Sequence, residues 1–88
     1  MTVVFPSTDP LAWRPVRRSD VTLAEQIADH LARRIREQGL RAGTRLPSIR
    51  RMAQQAGVSR YTVVDAYERL VAKGLAESRR GAGFYVRA

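Results

Sequence analysis

Residues 46–70, LPSIRRMAQQAGVSRYTVVDAYERL, carry two helical signals separated by a minimal break. Pro47 breaks whatever precedes it, and Ser48 follows as an N-cap whose hydroxyl can accept from a first-turn amide. Ile49, Met52, Ala53 and Ala56 then recur at i, i+3, i+4 and i+7, the spacing of one helical face. Gly57 ends that helix, Val58 follows, and Ser59 is a fresh N-cap. Val63, Ala66, Tyr67 and Leu70 repeat the same spacing before Gly74. Ala53 is small where two helices would cross, Gly57 allows the positive φ of a tight turn, and Val63 can plug the angle between the helices. Two short helices on a minimal hinge describe a helix-turn-helix, although any helical hairpin uses the same turn chemistry.

Upstream, Thr22-Leu23-Ala24-Glu25 is a capping box, so a first helix starts there and closes at Gly39 as its C′ residue. Leu23, Ile27, Leu31 and Ile35, with Ala24 and Ala28 beside them, form its core stripe. Asp29, Arg33 and Arg36 are solvated, and the lone His30 reads as a surface residue. Residues 40–46 connect, with a turn at Ala42-Gly43-Thr44. Downstream of Gly74 the period changes: residues 75–78 and 84–86 read as two short strands joined by a basic, glycine-bearing tip at 79–83. The expected fold class is mainly α with a small β-hairpin, a winged helix-turn-helix of three helices plus a two-stranded wing, spanning residues 21–88. Residues 1–20 hold Pro6, Pro10 and Pro15 and read as an extended or flexible N-terminal arm, from which Phe5, Leu11 or Trp13 can dock on the domain.

The 88 residues carry sixteen Lys and Arg against eight Asp and Glu, a net charge of +8. That imbalance points to a polyanion. The charge is uneven, since residues 41–60 contain Arg41, Arg45, Arg50, Arg51 and Arg60 and no acidic residue. All cations but Lys73 are arginines, whose planar fork suits phosphate and guanine edges. Arg50 and Arg51 open the second helix, Arg60 opens the third, and Arg79 and Arg80 sit on the hairpin. In a winged helix those elements share one side, the side that meets DNA.

On the third helix the core stripe centres on Val63 and Leu70, which leaves Tyr61, Val64, Asp65 and Glu68 opposite. The N-terminal residues of such a helix enter a major groove about 12 Å wide. Base contacts are therefore expected from Arg60, Tyr61 and Val64, the latter two against thymine methyl groups. Ser59 and Thr62 are expected to reach phosphate through hydroxyls and amides at the positive end of the helix. At the hairpin, Gly81 lets backbone lie against a sugar-phosphate ridge or enter the minor groove while Arg79 or Arg80 reaches in.

Arg45-Leu46-Pro47-Ser48-Ile49-Arg50, Gly57-Val58-Ser59-Arg60 and the run from Ala76-Glu77-Ser78 through Gly83-Phe84-Tyr85-Val86 closely resemble the reading head of the GntR family of transcription regulators. The resemblance covers residues 23–86. It implies a domain that binds palindromic operators as a dimer, with a separate C-terminal domain that senses a small molecule. It also implies DNA contacts at Arg50, Ser59, Arg60, Thr62 and the wing around Arg80 and Gly81. Many members carry Arg where this chain has Val64. Val64-Asp65-Ala66-Tyr67-Glu68-Arg69-Leu70 resembles instead the MocR subfamily, whose members join this head to an aminotransferase-like domain carrying pyridoxal phosphate. On that resemblance the chain is a fragment of a regulator, a repressor or activator, that works as a homodimer; no long apolar seam is left over for a dimer, so the fragment by itself is expected to be a monomer. The fragment itself is expected to hold no cofactor.

The inventory argues against an enzyme: one His, no Cys, and carboxylates scattered on solvated faces, with no acid and base poised together. No metal site is expected. No apolar run approaches the roughly 20 residues that cross a bilayer, so a cytoplasmic protein at the nucleoid is expected, with no membrane partner. The competing reading is a winged-helix module that binds protein or RNA, against which Arg60 and the basic wing weigh.

Overall fold

The computed structural model describes residues 13–17 and 20–87. Its element order is α1 (Leu23–Glu37), α2 (Ile49–Ala56), α3 (Arg60–Ala72), β1 (Ala76–Arg79) and β2 (Gly83–Val86). All three helices start where a hydroxyl stands ready. Thr22 accepts from the Glu25 amide at 3.0 Å, Ser48 from Arg51 at 3.1 Å, and Ser59 from Thr62 at 3.1 Å. The Thr22 hydroxyl also donates to Glu25 Oε1 at 3.1 Å, so the predicted capping box ties its two ends by a side-chain bond as well. Gly39 follows α1 with φ +70°, and Gly57 follows α2 in the left-handed region at φ +69°, ψ +37°.

The core is the set of faces the periodicity selected. Ala24, Ile27, Ala28 and Leu31 of α1 meet Val63, Ala66, Tyr67 and Leu70 of α3, with Met52, Ala53 and Ala56 of α2 closing one side. Leu23, Ile35 and Ile49, at the edges of their stripes, are only half-buried. Tyr67 is fully enclosed, packs edge-on against Phe84 at 5.0 Å between ring centres, and donates its hydroxyl to the Pro47 carbonyl at 2.6 Å. Burial pushes its phenol well above the ordinary range, so it remains a donor.

The wing strands pair antiparallel, from Ala76 opposite Val86 to Arg79 opposite Gly83. The strands predicted at 75–78 and 84–86 are thereby displaced by one residue at the tip. Arg79 and Gly83 belong to the ladder, and the turn is 80–82, closed by the Ala82 amide on the Arg79 carbonyl at 2.9 Å. Along β2, Phe84 and Val86 face the core and Tyr85 faces out. The connector before α2 adds a third edge. Gly43 donates to Val86, Val86 to Thr44, and Leu46 to Phe84, all at 2.8 to 2.9 Å, with Arg45 bridged opposite Tyr85. Those bonds fix the wing to the residues that lead into the helix-turn-helix.

His30 is the one clear departure from the expected surface. It is half-buried because the Trp13 indole lies flat on its ring, 4.2 Å between centres and 8° between planes. Trp13 thus does dock on the domain, as expected; Phe5 and Leu11 lie outside the described residues.

Candidate nucleic-acid interface

Helix α3 is sealed into the core along one side and open along the other. Val63, Ala66, Tyr67 and Leu70 are buried, while Arg60, Tyr61, Asp65 and Glu68 are exposed and Val64 is half-buried. Tyr61 is 88% exposed, a large ring with no apolar surface to cover it. The Ser59 and Thr62 hydroxyls are hydrogen-bonded to each other at 3.0 Å, and the Ser59 oxygen also accepts from the Thr62 amide. The first intrahelical bond runs from the Val63 amide to the Ser59 carbonyl at 3.3 Å. The Arg60 and Tyr61 amides precede it and point out of the positive end of the helix, which suits an anion.

Further along the open face, Asp65 is neutralised by Arg69 four residues on, Nε to Oδ1 at 3.0 Å. The carboxylate nearest the helix start is therefore paired within the helix. At the head of α2 the Ser48 cap is followed by exposed Arg50 and Arg51, with no acidic residue in that first turn.

The wing divides its two arginines. Arg79 Nε pairs with Glu77 Oε2 at 2.9 Å, and its guanidinium lies 4.1 Å above the centre of the Tyr85 ring. Tyr85 is in turn held by its hydroxyl on the Ala82 carbonyl at 3.1 Å. Arg80 stands exposed on the turn itself beside Gly81, whose φ is +73°. Thus Arg79 stiffens the wing and Arg80 is presented beyond it.

Two further arginines enter this region that the sequence reading did not assign. Arg45, exposed on the edge segment opposite Tyr85, lays its guanidinium against Gly83, 3.5 Å from where a Cβ would stand. The outward alternation of Arg45 beside buried Leu46 was the available sign of a strand. Arg14 donates from Nε to the Gln55 carbonyl at 3.2 Å, at the end of α2. No spacing rule announces that contact. Among the described residues no cluster of three or more His, Cys, Asp or Glu is disposed to hold a metal ion, and no helix is long and apolar enough to cross a membrane.

The model of bacterial regulatory proteins of the gntR family matches residues 23–86. The chain is 44% identical over 70 residues to the probable rhizopine catabolism regulatory protein MocR of Rhizobium meliloti, covering 80% of this chain and 14% of that protein. It is 40% identical over 76 residues to the pyridoxine biosynthesis regulator PdxR of Corynebacterium glutamicum, covering 84% of this chain and 16% of that protein. Among solved structures, YtrA of Sulfolobus acidocaldarius, a GntR-family transcription factor, superposes with a TM-score of 0.73 at 34% identity, over 80% of this chain and 73% of that one. The AraR DNA-binding domain in complex with operator ORX1 superposes at 0.72 and 27% identity, over 84% and 89%. The chain thus spans only 14% of the length of MocR and 16% of that of PdxR. By its sequence, its three helices and its wing, it belongs to the gntR family of bacterial regulatory proteins, as their winged helix-turn-helix DNA-binding domain.

Proposed function

We propose that this domain reads double-stranded operator DNA, with residues 59–73 in the major groove and the wing at 79–83 against the minor groove. The first turn of α3 carries the reading: Arg60 and Tyr61 stand fully presented on a helix whose other side is locked into the core. In this reading Arg60 contacts base edges, with Tyr61 and Val64 against thymine methyl groups. Arg50, Ser59 and Thr62 hold phosphate, as do the α3 amides. Arg80 and Gly81 approach the minor groove, and Arg79 keeps the wing in shape while adding its charge.

MocR and PdxR are regulators several times longer than this chain, and we assign it to a regulator of that MocR-like plan, paired as a homodimer through the remainder of the protein. The head binds DNA and catalyses no reaction of its own. Nor does it fit pyridoxal phosphate: its only lysine, Lys73, lies exposed outside α3, 3.5 Å from Asp29. A cofactor of that kind belongs to the larger partner domain.

Selection from a randomised duplex pool with the 88-residue chain tests the reading. Enrichment of one common sequence, protected from cleavage over about half a helical turn or more, supports it. A pool that stays random after repeated rounds contradicts it.

A further inference from the structure

We propose that residues 13–17 form a strap that positions the recognition helix, acting through Arg14 at the turn between α2 and α3. The inference rests on the DNA-reading function above and adds a part to it that lies outside the helix-turn-helix and the wing.

Helix α2 has no basic residue in its last turn, so nothing in the helix itself offsets its negative end. Arg14 supplies the missing cation from the strap, with Nε on the Gln55 carbonyl at 3.2 Å. Its Nη2 lies 2.7 Å from the point a Cβ on Gly57 would occupy, so the guanidinium covers the left-handed turn itself. Two residues later Ser59 caps α3. The strap is held on both sides of Arg14. Trp13 stacks on His30, and the Val16 backbone is clamped by the Gln26 amide, which donates to its carbonyl at 2.6 Å and accepts from its N–H at 3.0 Å. Gln26 also donates to the Val21 carbonyl at 3.2 Å. Both anchors belong to α1, whereas Arg14 ends on α2, so the strap ties the frame of the domain to the hinge of its reader.

Base readout depends on placement to within about half an ångström, whereas attraction to the phosphate backbone does not. A loosened hinge therefore costs specificity before it costs general affinity. A guanidinium that itself gripped phosphate would do the opposite.

The test uses the 88-residue chain, a fluorescein-labelled duplex selected from a random pool with the wild type, and a scrambled duplex of the same composition. Arg14→Ala is expected to weaken the selected duplex by about threefold to tenfold, leave the scrambled duplex unchanged, and leave the salt slope of binding unchanged. Trp13→Ala, which alters no charge, is expected to lower the same ratio, measured below its own melting temperature. Equal weakening on both duplexes with the salt slope reduced by about one would make Arg14 a phosphate contact and overturn the positioning role. An unchanged ratio in either variant would overturn it as well. A wild-type chain that did not discriminate between the duplexes would overturn the DNA reading itself, and the strap's role with it.

Discussion

Tyr67, in the middle of the recognition helix, donates its hydroxyl to the carbonyl of Pro47, the residue before the Ser48 cap of α2. The bond spans 20 residues and fixes the start of one helix against the body of the next. Tyr67→Phe keeps the packing but leaves that carbonyl without its donor, and is expected to cost about 1 kcal/mol in urea denaturation. An unchanged midpoint would show that water satisfies the carbonyl equally well.

At Gly57 the chain needs a left-handed conformation, φ +69°, and an added Cβ would also press on Arg14 Nη2. Gly57→Ala is expected to destabilise by about 1 to 2 kcal/mol, and the Arg14→Ala background is expected to return only the part due to the clash. Melting curves of the two single variants and the double variant separate backbone strain from crowding.

Arg60 and Arg50 are expected to fail differently. Arg60→Ala removes the proposed base contact and should lower preference for a selected duplex over a scrambled one by about tenfold, a cost of about 1 to 3 kcal/mol. Arg50→Ala removes the proposed phosphate contact and should weaken both duplexes alike, with the salt slope reduced by about one. Anisotropy titrations on both duplexes distinguish the two patterns.

On the wing, Glu77 holds Arg79 at 2.9 Å and places a negative charge beside the surface assigned to DNA. Glu77→Gln is expected to tighten binding to any duplex by about twofold to threefold at low salt, an effect that fades as salt rises. Arg80→Ala, at the exposed tip, is expected to weaken binding more than Arg79→Ala. The reverse order would mean that Arg79 leaves its ion pair and ring contact to reach DNA.

Burial first, and then the guanidiniums of Arg34 and Arg33, hold the His30 ring below its usual pKa of 6.5. The unfolded chain therefore takes up this proton before the folded one does. His30 contributes its full stabilisation above its unfolded pKa and loses it as pH falls through the lower folded value. The melting temperature should fall between about pH 7.5 and pH 5.5, and His30→Gln should flatten that fall. Emission from Trp13, the only tryptophan, should shift to the red as the strap lifts. An identical fall in the variant would assign the pH dependence to other groups.

The helices were legible because each rests on local chemistry. A hydroxyl cap, a four-residue apolar repeat and a terminal glycine lie within one stretch of chain at Thr22–Gly39, Ser48–Gly57 and Ser59–Gly74. The wing was legible to within one residue. Its tip was misplaced because the Arg79–Gly83 pair is secured by Glu77 and the Tyr85 ring, side-chain contacts that alternation does not encode. The strap was legible only as an extended, proline-bearing segment. Its stacking of Trp13 on His30 and the Gln26 clamp on Val16 join residues with no common period, so the half-buried state of His30 followed from tertiary structure alone. The exposed first turn of α3 was readable by helical wheel, whereas the guanidinium of Arg45 over Gly83 needed the fold.

The proposed DNA-binding face is cationic and is built from α2, α3 and the wing. The most direct measurement is titration of a labelled duplex with the 88-residue chain at about 50 and about 200 mM salt. A steep loss of affinity between the two concentrations is expected, with the selected sequence held more tightly than the scrambled one at both. Binding that is insensitive to salt, or equal for the two sequences, would contradict it.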